Sequence, residues 1–424
     1  MAAPANEAVR PGRMLATIGA LYFTQGLPMG LAFMALPAIF RKLGYSTEAI
    51  GMMGVVILPW ALKFLWASSI DRFEVGSLGR RRGWIVSAQI ILALLYVLTG
   101  LLGSMELSAL VIVGLLLVAN TVSATQDIAT DGWAVEELRG PHLAWANGLQ
   151  IGAFSFGMLV GGAATVAVFD WGGWLLAFGL LAALAILSVV PVMLSPEQRG
   201  TGVTLDRTQK PSLLAAIRRP GAVFIISVAA VFHFAHAMVG SMLGPFLVDA
   251  GLSLADVGMI TGTGIAAIAV FGGGLGGFLA RRFTVERVAV GSGLAAALGL
   301  GLWGAAAALA TLSTGLAMAI IAAIGLVGGI AYVAFFTLFM RWSSRQQAGT
   351  DFTLLQCTES CTNIIAAIVA GQLAALLGYR GLFVAAVITG VLAMGWCAFA
   401  LSQVGGRPSE STDLNPVSGP VSAG

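Results

Sequence analysis

Asp127 and Asp131 stand four residues apart in the stretch Ala124-Thr125-Gln126-Asp127-Ile128-Ala129-Thr130-Asp131-Gly132-Trp133, inside an otherwise apolar run. Four-residue spacing puts both carboxylates on one helical face. A charged Asp near the centre of a bilayer costs about 2.5–3.5 kcal/mol even on the lenient insertion scale, so this face calls for a polar cavity, a basic partner or protonation. Few other ionisable groups lie in apolar runs: Lys63, His233, His236 and Glu359, with Asp351 at the start of a run.

Each of these has a chemistry and a plainer alternative. Lys63 and Asp127 fall at comparable depths, so they can pair, either to neutralise two buried charges or to take part in transport. Asp131, one turn further on, has no basic partner at its depth in the sequence and is the better candidate for a reversibly protonated group. His233 and His236 share a face and suit a proton-coupled step or a hydrogen-bonding cavity wall. Two histidines without a nearby Cys or carboxylate are a poor metal site, and no metal or cofactor is expected. Glu359, with Gln356 and Thr358 beside it, reads as part of a polar pathway. Glu136 and Glu137, next to Arg139, read as interfacial and solvated. Cys357, Cys361 and Cys397 read as small buried residues.

The elements that must position these groups follow from composition. With 424 residues, 58% of them hydrophobic and 10% charged, and a mean hydropathy of +0.93, the chain is a polytopic membrane protein rather than a soluble domain. Nothing points to nucleic acid; the partners expected are membrane lipid, a small-molecule substrate and a proton. A span takes about 20 apolar residues, which predicts twelve helices: 14–40, 48–70, 84–104, 107–137, 144–169, 171–194, 221–248, 254–280, 287–311, 314–340, 350–377 and 380–401. The expected units are an N-terminal bundle (1–194), a polar linker (195–220), a C-terminal bundle (221–401) and a disordered tail (402–424) rich in Ser, Gly and Pro. With both termini cytoplasmic, all but four of the 22 Lys and Arg residues fall inside, the exceptions being Arg41, Lys42, Arg380 and the intramembrane Lys63.

The two halves echo each other. Ile70-Asp71-Arg72 with Gly79-Arg80-Arg81-Arg82 follows the second span, and Gly276-Gly277-Phe278-Leu279-Ala280-Arg281-Arg282 closes the eighth. Basic turns at the same place in each six-span half mark two parallel repeats, the all-α plan of the major facilitator fold. Asp71, Arg72 and Arg81 are then a candidate gating loop. In that plan spans 1, 4, 7 and 10 line a central cavity, which nominates Tyr22, Thr24, Gln25, Gln126, His233, His236, Tyr332, Phe335 and Phe336, with Gln356 added from span 11. Asp127, Asp131, Lys63 and Glu359 are the candidates for proton coupling. Pro59, four residues before Lys63, can bend the helix and help aim the lysine.

The span-4 stretch, with Gln25-Gly26-Leu27-Pro28 and Leu58-Pro59-Trp60-Ala61-Leu62-Lys63-Phe64-Leu65-Trp66-Ala67, resembles the peptide, acetyl-CoA and muropeptide transporter branch of the major facilitators. Ala35-Leu36-Pro37, the Thr-Asp-Gly form of the motif and Gly349-Thr350-Asp351-Phe352-Thr353-Leu354-Leu355-Gln356 resemble most the rhizobactin/pyochelin-type siderophore permeases. The resemblance implies a monomeric inner-membrane importer of an iron–siderophore, with Asp127 and Asp131 matching the branch's acidic pair. The alternatives are a muropeptide permease and an effluxer of small amphiphiles. No G-x-x-x-x-G-K-[ST] pattern is present, so an ion gradient or the cargo's own gradient supplies the energy. An embedded enzyme would need a nucleophile with its base or an H-E-x-x-H helix, and His142, His233 and His236 form neither.

Overall fold

A computed structural model describes residues 11–44, 52–105, 109–139, 141–195, 210–267 and 272–405. Most of the expected linker and tail lies outside these ranges. Among the described residues every regular element is helical. Eight helices are long and apolar enough to cross a membrane, and two of them, His142–Leu194 and Arg345–Val404, run for 53 and 60 residues. At about 1.5 Å per residue these would be roughly 80 and 90 Å long, far more than a core of about 30 Å. Each breaks at a glycine with positive φ, Gly173 (66°) and Gly378 (68°), a conformation that L side chains avoid. Each is therefore two passes.

Two further passes are built in pieces. Met52–Ile57, Leu58–Leu62 and Phe64–Arg72 follow one another, and Leu254–Ala267 is followed by Gly273–Arg282. The sum is consistent with the twelve expected: α1 (Gly12–Lys42), α2 (52–72), α3 (Arg82–Ser104), α4 (Leu110–Glu137), α5 (142–172), α6 (174–194), α7 (Ala222–Asp249), α8 (Leu254–Ala267 and Gly273–Arg282), α9 (Val285–Ala306), α10 (Thr314–Trp342), α11 (348–377) and α12 (379–404).

Helix α1 packs most closely on α5, and glycines make the approach possible. A Cβ at Gly26 would lie 2.2 Å from the Phe154 carbonyl oxygen, one at Gly30 2.0 Å from that of Met158, and one at Gly157 2.0 Å from that of Phe23. The obstacle each time is backbone, which cannot swing aside. Without a hydrophobic force between helices in lipid, such van der Waals closeness supplies the adhesion. Gly30→Ala is therefore expected to cost about 1–3 kcal/mol, the range of overpacking. Thermal unfolding of the detergent-purified protein checks this against Gly114→Ala, where an added Cβ meets nothing within 4 Å. Equal melting temperatures would refute the close packing.

Where the halves touch decides the shape of the interior. Among the described residues, the substantial packing between them runs through α2, α4, α5, Gly273–Arg282 of α8, α10 and α11. These contacts gather toward the face bearing the arginine clusters. At the opposite face, Lys42 pairs with Asp170 at 2.6 Å and Tyr379 donates to Asp249 at 2.7 Å, both within one half. The halves are thus joined at the arginine-rich face, and the space between them extends from mid-depth toward the other.

Candidate functional site

That space is a cavity of about 840 Å³, within the range of small-molecule sites. Helix α2 is interrupted at Lys63, four residues after the buried Pro59 at the start of Leu58–Leu62. The Lys63 ammonium meets two partners there: the Asp127 carboxylate of α4 and Gln356 Oε1 of α11, the latter at 2.6 Å. It also lies 5.4 Å from the Trp60 ring centroid. Both members of the ion pair are 4% exposed, so the pair offsets two desolvation costs and neither charge stands alone. Because Gln356 belongs to the other half, Lys63 ties the two halves together at the cavity floor.

Asp131 lies beneath, fully buried and off the cavity wall. It has a partner that its sequence neighbourhood did not reveal: Tyr22, which lines the cavity, donates to Asp131 Oδ1 at 2.5 Å. Asp131 Oδ2 is buried with no hydrogen bond inside the protein. Tyr22 thus connects the cavity to a carboxyl group the cargo cannot touch.

On the other half, His233 and His236 stack in parallel, centroids 5.7 Å apart. His233 Nδ1 is 3.2 Å from Glu359 Oε1, but the alignment is not that of a hydrogen bond. Glu359 accepts instead from Asn363 Nδ2 at 2.6 Å. His236 Nε2 is buried and without a hydrogen-bond partner. Tyr332 stacks on Phe336 at 4.3 Å and meets His233 edge-on. Among the described residues no His, Cys, Asp and Glu group could hold a metal ion.

Beneath the cavity, the loop after α2 closes the arginine-rich face. Asp71 Oδ1 bonds Arg81 at 2.6 Å, while its Oδ2 accepts from the Thr350 amide at 2.7 Å and the Thr350 hydroxyl at 2.5 Å. An N-half carboxylate therefore caps the start of α11 in the other half. Arg81 also pairs with Glu136 at 2.6 Å. Burial works against its charge, but Glu136 and Asp71 outweigh this and hold the guanidinium above the ordinary arginine range. Gly132 makes room for it, since a Cβ there would sit 2.5 Å from the Arg81 Cζ. The glycine of the Thr-Asp-Gly motif is thus required by a side chain 51 positions away in sequence. Arg80 donates to the Gln346 carbonyl and Arg345 to that of Glu136, two further ties between the halves.

Most of the expected wall is in place: Tyr22, Gln25, His233, His236, Tyr332, Phe336 and Gln356 line the cavity, as do Lys63, Asp127 and Glu359. Gln126 does not; it is buried with its amide unpaired and points elsewhere, because adjacent helical positions are about 100° apart and Asp127 takes the cavity side. Thr24 and Phe335 are buried in helix packing, Thr24 accepting from Gln89 at 2.8 Å and Phe335 against Phe232. Arg72 reaches the Pro211 carbonyl rather than the Asp71 cluster. Glu136 pairs with Arg80 and Arg81 instead of resting in solvent beside Arg139, Asp351 pairs with Arg219 at 2.6 Å, and Cys361 is exposed.

Trp60, Gln150, Phe154, Thr261, Trp303, Ser360 and Asn363 also line the cavity. Sequence reasoning missed them by restricting the wall mainly to spans 1, 4, 7 and 10. Two signals were available: Gln150 and Phe154 are four apart, and Gln356, Glu359, Ser360 and Asn363 form one polar stripe at helical spacing.

The family model described as acetyl-coenzyme A transporter 1 matches residues 15–168. The chain is 27% identical over 392 residues to the anhydromuropeptide permease of Escherichia coli (strain K12), covering 89% of this chain and 78% of that one. An uncharacterized protein of Haemophilus influenzae is 25% identical over 399 residues, covering 89% and 92%. Among solved structures, the major facilitator transporter FucP in the outward conformation aligns with a TM-score of 0.69 at 14% identity, covering 92% of this chain and 98% of that one. A bacterial homologue of the iron transporter ferroportin, in an outward-facing state, aligns at 0.65 and 16% identity, covering 92% and 99%. At such identities these two show the fold and nothing about cargo. None of these is described as a siderophore permease.

Proposed function

We propose that this chain, a membrane transporter of the major facilitator kind and not an enzyme, imports a muropeptide-like solute, an amino sugar carrying a short peptide, by proton-driven alternating access. The siderophore reading gives way to this one because the similarity over 89% of the chain is to an anhydromuropeptide permease. The observation that carries the proposal is the make-up of the cavity wall. A sugar–peptide conjugate presents ring faces, hydroxyls, amides and carboxylates. Trp60, Trp303 and Tyr332 offer flat surfaces, Gln25, Gln150 and Asn363 offer amides, and Lys63 offers a cation.

With the arginine-rich face in the cytoplasm, the joined face is the inner gate and the cavity receives cargo from outside. An anionic group that reaches Lys63 competes with Asp127 and Gln356, loosening the tie between the halves as the cavity fills. A proton passing by way of Tyr22 neutralises Asp131, and both leave together once the inner gate opens. Uptake of radiolabelled anhydromuropeptide into proteoliposomes, alongside a panel of ferric siderophores, tests the cargo. Saturable uptake of the muropeptide alone is the expected result, and uptake of a siderophore alone overturns the proposal.

The coupling role is tested separately. Asp131→Asn keeps shape and the bond to Tyr22 but cannot titrate. Uptake driven by a pH gradient is expected to fall by about tenfold or more, the factor set by ~1.4 kcal/mol, with exchange of cargo in the absence of a gradient retained. Undiminished gradient-driven uptake would remove Asp131 from the mechanism.

A further inference from the structure

We propose that the cavity wall of the C-terminal half holds a subsite for a primary ammonium group, with Glu359 as its counter-charge, and that it receives a free amine of the cargo's peptide. The identity of that amine rests on the muropeptide-like reading above. The other buried carboxylates have strong donors of their own: Asp71 has Arg81, Asp127 has Lys63, Asp131 has Tyr22 and Asp351 has Arg219. Glu359 does not. Its side chain is only 8% exposed, yet no Lys or Arg among the described residues pairs with it. The basic neighbour it has is His233, 3.2 Å away and not aligned for a hydrogen bond. An imidazole, unlike an ammonium or a guanidinium, carries no permanent charge. A carboxylate within a membrane calls for a cation or a proton.

The surroundings favour the cation. Glu359 Oε1 accepts from Asn363 Nδ2, one turn further along α11, at 2.6 Å, which steadies the carboxylate at the wall it lines. Among the described residues nothing donates to Oε2, and that atom is not sealed inside the packing, so a second acceptor is left open to the cavity. Tyr332 and Phe336, stacked at 4.3 Å, line the same cavity, with His233 edge-on to Tyr332 at 5.4 Å. Aromatic ring faces attract an ammonium through their quadrupole. An open carboxylate oxygen near such rings suits an amine that must give up water, because the ammonium gains a charge-assisted bond in its place. The stripe on α11 also supplies the companion charge. Gln356, three residues before Glu359, shares its face and accepts from Lys63 at 2.6 Å. The contact to Lys63 and the Glu359 carboxylate thus spring from points about 4.5 Å apart along the helix axis. A peptide whose anionic group reaches Lys63 finds an acceptor for its amine one turn away.

Uptake into proteoliposomes of an anhydromuropeptide whose peptide carries a free side-chain amine, beside the same molecule N-acetylated at that amine, tests the subsite. The original chain is expected to take the free amine with a KM about tenfold lower than that of the acetylated form, the worth of one charge-assisted bond. Glu359→Gln keeps the shape and still accepts from Asn363, and is expected to abolish the preference. Equal KM values in the original chain, or a preference that survives in the folded variant, overturns the proposal. So does a loss of uptake equal for both forms, which would make Glu359 a proton carrier or a structural group. Melting temperatures measured without cargo identify a variant that has unfolded; Glu359→Asp, which draws the carboxylate back by one methylene, then replaces it, with the preference expected to fall by about threefold or more. If the original chain transports no muropeptide, the cargo reading fails by itself and binding decides the subsite. Quenching of tryptophan fluorescence, with Trp60 and Trp303 in the cavity wall, is then titrated with the amine-bearing peptide alone and with its N-acetylated form. The same preference, lost in Glu359→Gln, upholds the subsite, and its absence overturns it.

Discussion

Lys63→Met is expected to destabilise the folded protein by about 3–5 kcal/mol, because it strands the Asp127 carboxylate in a cavity wall that has no other Lys or Arg among the described residues. The ion pair is 4% exposed on both sides, so water cannot make good the loss. Asp127→Leu is expected to do similar damage by stranding the ammonium, although Gln356 still accepts from it at 2.6 Å. The informative variant is the double one. With both charges gone, the desolvation cost disappears as well, and stability is expected to return to within about 1–2 kcal/mol of the original, as buried pairs replaced by apolar residues commonly do. Transport should not return with it. If Lys63 receives the cargo's anionic group and holds Gln356 across the halves, a stable double variant remains inactive. Recovery of uptake along with stability would make the pair purely structural. Unfolding in detergent and uptake in proteoliposomes, measured on all four proteins, decide between the two.

The second large effect is expected at the inner gate. Asp71→Asn removes the charge that holds Arg81 at 2.6 Å and weakens the cap on the Thr350 amide of the other half. Arg81 keeps Glu136, so the N-half stays assembled; what is lost is attraction across the halves, and it is lost only in the state where they touch. A differential cost of about 3 kcal/mol is more than a hundredfold in the balance of states. The measurement is the labelling rate of a cysteine placed by Ile128→Cys in a background lacking the three native thiols. Ile128 is buried against the start of α11, where a Cβ on Gly349 would lie 2.9 Å from its side chain. Labelling is expected to rise by about tenfold or more with Asp71→Asn, given the differential cost above. It should not change with Arg341→Gln, whose partner Glu286 is 3.9 Å away and half exposed. Equal rates in the two proteins would show that Asp71 does not hold the gate.

How much of this was legible depends on the kind of residue. Lys63, Asp127 and Glu359 stand out in apolar runs because a charge in a membrane is too costly to be incidental. All three line the cavity. Uncharged polar residues carry no such signal. Gln126 and Gln150 look alike in sequence, yet one is turned into the helix packing and the other faces the cavity. The difference is an azimuth, set by neighbours from other parts of the chain. The partner of Asp131 was hidden for the same reason, since Tyr22 lies 109 positions away on α1. The siderophore reading rested on short motifs, whereas the similarity that extends over 89% of the chain is to an anhydromuropeptide permease, and the proposed cargo rests on that.

The sequence by itself determined the membrane class, the run of apolar helices, the doubled plan and the charges that must find partners. Each follows from local chemistry, from the length of apolar runs and the cost of burying a charge. Only the tertiary structure decided that Lys63 answers both to Asp127 and to Gln356 of the other half, that Asp131 is reached through Tyr22, and that Asp71 closes the face where Gly349 and Gly132 leave room. Those are choices of angle and contact between helices far apart in the chain, and no local pattern encodes them because their energies exist only once the helices are packed.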